Sequence, residues 1–132
     1  MDRIIKIFIQ SCWIIIPCFA GEIKVFTFKE ETRTIAIKTE WDDKSRIAVS
    51  SHCRLNDRNS CMALKKLDIA SMGEVKSIGK GSSANPGTRI CKFLEGRVVI
   101  GHDSEGNENS FCKFQDQSLI DCGTLSWYLK KD

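Results

Sequence analysis

The sequence predicts an α+β fold: N-terminal antiparallel hairpin strands followed by a helix-strand-strand-helix module, stapled by disulfides. Three observations carry this. Apolar residues alternate with polar ones at period two from Ile23 to Ser51, the mark of half-buried strands. After Asn85 the apolar spacing becomes helical, then strand-like, then helical again. Seven cysteines in 132 residues are many for so short a chain, and such a density belongs to disulfide scaffolds or metal domains.

The chain begins MDRIIKIFIQSCWIIIPCFAGE. Arg3 and Lys6 precede a mostly apolar run from Ile7 to Ile16, broken by Gln10 and Ser11. Pro17 then breaks any helix, and Cys18 and Ala20 are small residues two apart. This is the layout of a signal peptide over residues 1–20, cleaved after Ala20. The alternatives are a lipid anchor on Cys18, which the preceding Pro17 suits poorly, and a buried N-terminal strand. A membrane-spanning helix needs about 20 apolar residues, and this run is too short and too interrupted. The expected mature chain, from Gly21, has no membrane span and a formal charge of +2, because the leader holds two basic residues and one acidic. Five cysteines remain in it, and in an oxidising compartment they pair, leaving an odd one.

Residues 21–78 read as a β-rich region. Ile23, Val25 and Thr27 form one alternating run, Ile35, Ile37, Thr39 and Trp41 a second, and Ile47, Val49 and Ser51 a third. Lys29-Glu30-Glu31 and Trp41 to Ser45 supply the turns. Asn56 to Asn59 is rich in residues that bond their own backbone, and Cys53 and Cys61 flank it, placed to clip that loop closed. Met62 to Met72 fits neither period.

Residues 79–84, overlapping the stretch Ile78 to Ser83, IGKGSS, read as a flexible joint. The pattern of a phosphate-binding loop is absent, because Gly81 follows Lys80 where Ser or Thr is needed.

Residues 85–132 form the expected helical module. Asn85 suits a helix cap and Pro86 the first helical position. Ile90, Cys91, Phe93 and Leu94 make an apolar stripe with Gly87 beneath it, and Gly96 suits a left-handed stop. Val98 to Ile100 reads as a buried strand, His102 to Asn109 as a polar loop and Phe111 to Phe114 as the returning strand. Gln115 to Ser118 turns the chain, and Asp121 caps a last helix that carries Leu125, Tyr128 and Leu129. If the first helix packs on the face shared by Cys112 and Phe114, Cys91 meets Cys112. Closing that loop contributes about 3 kcal/mol in the chain-entropy model.

Several residues of this last stretch resemble a known family. Asn85-Pro86-Gly87-Thr88-Arg89-Ile90-Cys91, then Gly96, then Asp103 to Gly106, then Phe111-Cys112-Lys113-Phe114-Gln115-Asp116-Gln117-Ser118 are similar to the domain-of-unknown-function 333 family, short exported bacterial proteins or lipoproteins often labelled hemolysins. The family pattern runs Asn-Pro-Ala, a cysteine on the first helix, a glycine pair, a loop, then Cys-x-Phe-x-Asp-Gly-Ser. The resemblance covers about Ser83 to Leu129 and departs from the pattern at several places. Gly87 stands for Ala, Glu95-Gly96 for the glycine pair and Gln117 for a glycine, while Ile120 stands where many members have a cysteine and Cys122 is displaced. The resemblance implies an exported location and matches Cys91 and Cys112 to the family's first two cysteines. It leaves Cys122 as the possible free thiol, with pairing to Cys53, Cys61 or Cys112 as alternatives. It implies no mechanism.

The residue chemistry gives little support to catalysis. His52 adjoins Cys53, but neighbours on a strand point to opposite faces, and nothing in the sequence brings His102 to a thiol. No Cys-x-x-Cys pair offers zinc ligands at the usual spacing. Asp103, Glu105 and Glu108 lack the ligand set of a calcium-binding hand. Twenty basic and 17 acidic residues are scattered and near balance, which excludes a nucleic-acid platform. No catalytic residue, metal site or cofactor is expected. The function expected is that of an exported, periplasmic or secreted binding or structural domain whose partner is a protein or an envelope component. Its expected contact surfaces are the edge strands and the loop holding His102, Asp103, Glu105, Asn107 and Glu108. The rival expectations are a secreted protease inhibitor presenting that loop, a hemolysin-like toxin that perturbs the envelope, and an enzyme using Cys122.

Overall fold

The computed structural model describes residues 21–30, 32–42, 45–70 and 86–130. The expected leader, residues 1–20, and the expected joint, residues 79–84, lie outside them. The chain forms β1 (Glu22–Phe28), β2 (Arg33–Asp42), β3 (Ser45–Ser50), α1 (Met62–Ala70), α2 (Pro86–Phe93), β4 (Arg97–His102), β5 (Glu108–Lys113), β6 (Leu119–Asp121) and α3 (Cys122–Lys130).

The fold class differs from the one predicted. The strands do not separate into N-terminal hairpins and a helix-strand-strand-helix module; they close into one six-stranded antiparallel barrel in the order β1-β2-β3-β6-β5-β4. Two seams join the halves. β1 meets β4 through Thr27–His102 and Phe28–Gly101, and β3 meets β6 through Val49–Ile120. Ser50 reinforces the second seam, because its hydroxyl accepts from Leu119 N and donates to Leu119 O. Local alternation identifies a strand but not its distant partner, so neither seam is written in a run of sequence.

The barrel wall separates two cores. Inward-facing Phe26, Phe28, Ile37, Val99, Phe111 and Leu119 fill the interior, as expected of a barrel too narrow for a channel. Phe111 takes the edges of Phe26 at 4.9 Å and Phe28 at 5.5 Å between centroids. Outward-facing Ile47, Val49, Cys112, Phe114 and Ile120 form the second core with Leu64 and Leu67 of α1, Ile90 and Cys91 of α2 and Leu125 of α3. β3, β5 and β6 thus turn one parity inward and bury the other beneath helices, which is why Ile47, Val49, Cys112 and Ile120 are close to fully buried on the outer side of the wall and Phe111 and Leu119 on the inner.

The alternating run of β1 faces opposite to its apolar reading: Phe26 and Phe28 point inward, while Ile23 and Val25 are 67% and 49% exposed. Two phenylalanines bury more apolar area than two aliphatic side chains, and that decides the register. Met62 to Ala70, of neither period in the sequence, is a helix burying Ala63, Leu64 and Leu67. It borrows its cap from a turn distant in sequence. Met62 N donates to Asp116 Oδ2 at 2.8 Å, and Ala63 N donates to Ser118 Oγ at 3.0 Å. After α2, the left-handed residue is Glu95, with φ 66°, and not Gly96. Gly96 is required for a different reason: a Cβ there would strike Cys112 Sγ and sit 3.0 Å from both Cys91 Sγ and the Phe114 ring.

Candidate functional site

The two seams close only part of the barrel. Among the described residues, β1 pairs with β4 only at Thr27 and Phe28, and β3 pairs with β6 only at Val49. The remainder of the β1-β2-β3 sheet therefore stands away from the β4-β5-β6 side on both flanks. Between them lies a cavity of about 330 Å³. Its β1-β2-β3 wall presents Lys24 and Phe26, Ile37 and Thr39, and Arg46 and Ala48. The facing wall presents Asn109 and Phe111 of β5, Asp121 of β6, and Gly123, Thr124 and Trp127 of α3, with Asp103 at the loop before β5. Phe26 and Phe111 form its floor, where the cavity meets the inner core.

Strand parity explains these positions. Lys24 shares its face with Phe26 and Phe28, Arg46 with Ala48, and Asn109 with Phe111, so the inward face is apolar at the closed end and polar at the open end. Thr124 joins α3 to the free edge of β3, because Ala48 N donates to its Oγ1 at 3.2 Å. Asp121 caps α3, accepting at Oδ1 from Gly123 N at 2.7 Å, while Asn109 Nδ2 reaches Oδ2 at a long 3.4 Å. Burial pushes the Asp121 carboxyl above the usual carboxylate range, and the Gly123 and Asn109 donors and the charge of Arg46 offset this only in part. At the rim, Glu22 lies 3.8 Å from Lys24 and 3.7 Å from Arg46.

The expected contact loop, His102 to Asn109, borders this cavity through Asp103 and Asn109. Asp103 lines it, but its carboxylate is occupied by its own loop: Oδ1 accepts from Glu105 N at 2.9 Å and Asn107 N at 2.8 Å, and Oδ2 from Asn107 Nδ2 at 3.2 Å. Desolvation opposes these bonds, yet they and the charge of Lys24 hold its carboxyl below the usual range. Asp103 N also donates to Asn107 O, and Gly106 N to Asp103 O, so the loop is a tight, internally bonded turn. Glu105, Asn107 and Glu108 are exposed on it. His102 lies on β4 at the first seam, with Nε2 3.8 Å from Glu108 Oε2.

The cysteines are placed as follows. Cys53 and Cys61 are disulfide-bonded around the loop between β3 and α1, and Cys91 of α2 is bonded to Cys112 on the outer face of β5. Cys122 is free and buried, and burial together with the adjacent Asp121 pushes its thiol up to about 12. A thiol so held is neutral near pH 7 and a poor nucleophile. With Cys53 in a bridge, the His52–Cys53 neighbours present no free thiol. Among the described residues no group of three His, Cys, Asp or Glu side chains is placed to hold a metal ion, and no helix is long and apolar enough to cross a membrane.

Reading the sequence missed Lys24, Thr39, Arg46, Asp121, Thr124 and Trp127 as cavity residues. A signal existed for one of them. Lys24 falls in phase with the buried Phe26 and Phe28 of its strand, where a strand filling a sealed barrel would carry an apolar residue. No family model matches the chain, and no curated protein or solved structure is significantly similar to it.

Proposed function

We propose that this chain is an exported, disulfide-stapled binding domain that holds its ligand in the cleft between the β1-β2-β3 sheet and β5, β6 and α3. The observation that carries the reading is the cavity of about 330 Å³, apolar at its floor and polar at its mouth. That volume and mixture of surfaces are those of small-ligand sites, where apolar walls bury the ligand and a few polar groups orient it. Arg46, Asn109, Asp121 and Thr124 stand on β3, β5, β6 and α3, which the second core packs together from behind, so that side of the site is preorganised.

Export is supported by the two disulfides, which form and persist in oxidising compartments. The resemblance to the domain-of-unknown-function 333 family points the same way, and the backbone supports that resemblance. Glu95 and Gln117 have φ of 66° and 72°, a conformation natural to glycine, and they stand where the family pattern carries glycines.

Amide chemical-shift mapping tests the cleft. A panel of small saccharides, amino acids and dipeptides, each at millimolar concentration, should perturb Asn109, Asp121, Gly123 and Thr124 with at least one member. Shifts confined to residues 104–108, or no shifts with any member, would remove the cleft as the site.

The loop from His102 to Asn109 favours a second reading, a protease inhibitor. Its Asp103 bonds fix it before any partner arrives, and preorganisation is what gives such loops affinity. Inhibition of a protease panel by nanomolar protein, lost in Asp103→Ala, supports this reading; no inhibition removes it.

A further inference from the structure

We infer that the cleft takes a neutral, polyhydroxylated ligand, a saccharide unit of a glycan, seated on Trp127 and hydrogen-bonded by Asp121, Asn109, Thr124 and Arg46. This rests on the cleft being the binding site. Charge makes the first selection. Lys24 and Arg46 face Asp103 and Asp121 across the cavity, and Glu22 sits against both cations at 3.8 and 3.7 Å. Two cations against three carboxylates give no field that would gather a phosphate or another polyanion. Nor does the cleft suit a metal ion or a polycation: among the described residues no three His, Cys, Asp or Glu side chains are grouped to hold a metal, and Lys24 and Arg46 repel a polycation.

Hydrogen-bonding capacity makes the second selection. Asp121 lines the cleft half-buried and uses one oxygen firmly, on Gly123 N, with a 3.4 Å contact from Asn109 on the other. A carboxylate accepts about four hydrogen bonds, so acceptor sites remain. The Asn109 amide both donates and accepts, Thr124 accepts from Ala48 N and keeps its hydroxyl proton to donate, and Arg46 adds a planar fork of donors. Acceptors and donors so interleaved match adjacent hydroxyls, each of which gives one hydrogen bond and takes another. Trp127, 36% exposed, lines the same cavity and brings an indole ring to it. Such a ring is a broad apolar surface with a polar N–H, suited to the C–H face of a pyranose. A cavity of about 330 Å³ holds one or two such rings.

Calorimetric titration of the folded, oxidised protein decides this, with neutral chito-, cello-, malto- and manno-oligosaccharides as one set of probes and alanyl dipeptides as the other. Binding by at least one saccharide is expected, weakened about tenfold or more in Asp121→Asn and in Trp127→Ala. Asparagine caps a helix as well as aspartate, so Asp121→Asn keeps the α3 cap, and a circular-dichroism melt verifies its fold. Dipeptide binding without saccharide binding, with shifts at Asn109 and Asp121, would overturn the saccharide assignment and leave the cleft as the site. No binding by either set, with no shifts in the cleft, would overturn both. Saccharide binding unchanged in Asp121→Asn and Trp127→Ala would also overturn the assignment.

Discussion

Asp116 accepts a hydrogen bond from Met62 N at 2.8 Å across 54 residues of chain, and through it the turn after β5 caps the first turn of α1. Desolvation works against the charged form, but the amides of Met62 and Ser118, the Ser118 hydroxyl and the charge of His52 hold the carboxyl below the usual range. Removing a helix cap costs about 1 kcal/mol, so Asp116→Ala should lower the melting temperature by several degrees at pH 7. A carboxyl whose folded pKa is depressed stabilises the fold above its unfolded pKa and loses that contribution as pH falls through the folded value. The gap between Asp116→Ala and the parent protein should therefore be full at neutral pH and shrink below about pH 4. A gap that stays constant down to pH 2 in thermal melts would show that the cap carries no charge.

Glu95 and Gln117 hold left-handed backbone that disfavours any side chain. Glu95→Gly and Gln117→Gly should each raise stability by about 0.5–1 kcal/mol, the relief of the left-handed conformation less the added entropy of the unfolded glycine. Urea melts of the two single variants and the double read this directly. Destabilisation in both would mean that these turns do not need the conformation seen.

Gly87 of α2 lies directly against the start of α3. A Cβ there would run into the carbonyl group of Cys122, with Ser126 Oγ 2.9 Å away. Backbone cannot step aside as a side chain can, so Gly87→Ala should destabilise by about 1–3 kcal/mol despite being a better helix former. The close approach of α3 accounts for glycine at this position. An unchanged melting temperature would place the two helices farther apart.

Cys122 tests the thiol chemistry. With its pKa pushed up to about 12 and its side chain buried, it should resist iodoacetamide at pH 8 in the folded protein and take one adduct after unfolding without reductant. A raised folded pKa also means stability present below the unfolded thiol value and lost as pH rises above about 9. Rapid alkylation of the native protein would reopen an enzymatic role for this cysteine.

What the sequence made legible follows the range of each interaction. Period-two runs placed β2 and β3, and Pro86 with the Ile90–Leu94 stripe placed α2, because these signals act within a few residues. β6 spans only Leu119–Asp121, too short to show any period, yet it completes the barrel, so the fold class was misread. The cap of α1 was invisible for a related reason: Asp116 reads locally as a turn residue, and its partner Met62 is far away in the chain. The cleft was legible only in Lys24, standing in phase with Phe26 and Phe28, and its union with Arg46, Asp121 and Trp127 required the closure of the barrel.

Every function proposed depends on the chain reaching a compartment where Cys91 stays bonded to Cys112 and α2 stays fastened to the barrel wall. Peptide mapping of the protein recovered from its native cells, under non-reducing conditions after trapping of free thiols, is the most direct test. It should find a chain beginning at Gly21, with Cys53 linked to Cys61, Cys91 linked to Cys112 and a single trapped thiol at Cys122. An unprocessed chain carrying all its cysteines as thiols would contradict the account.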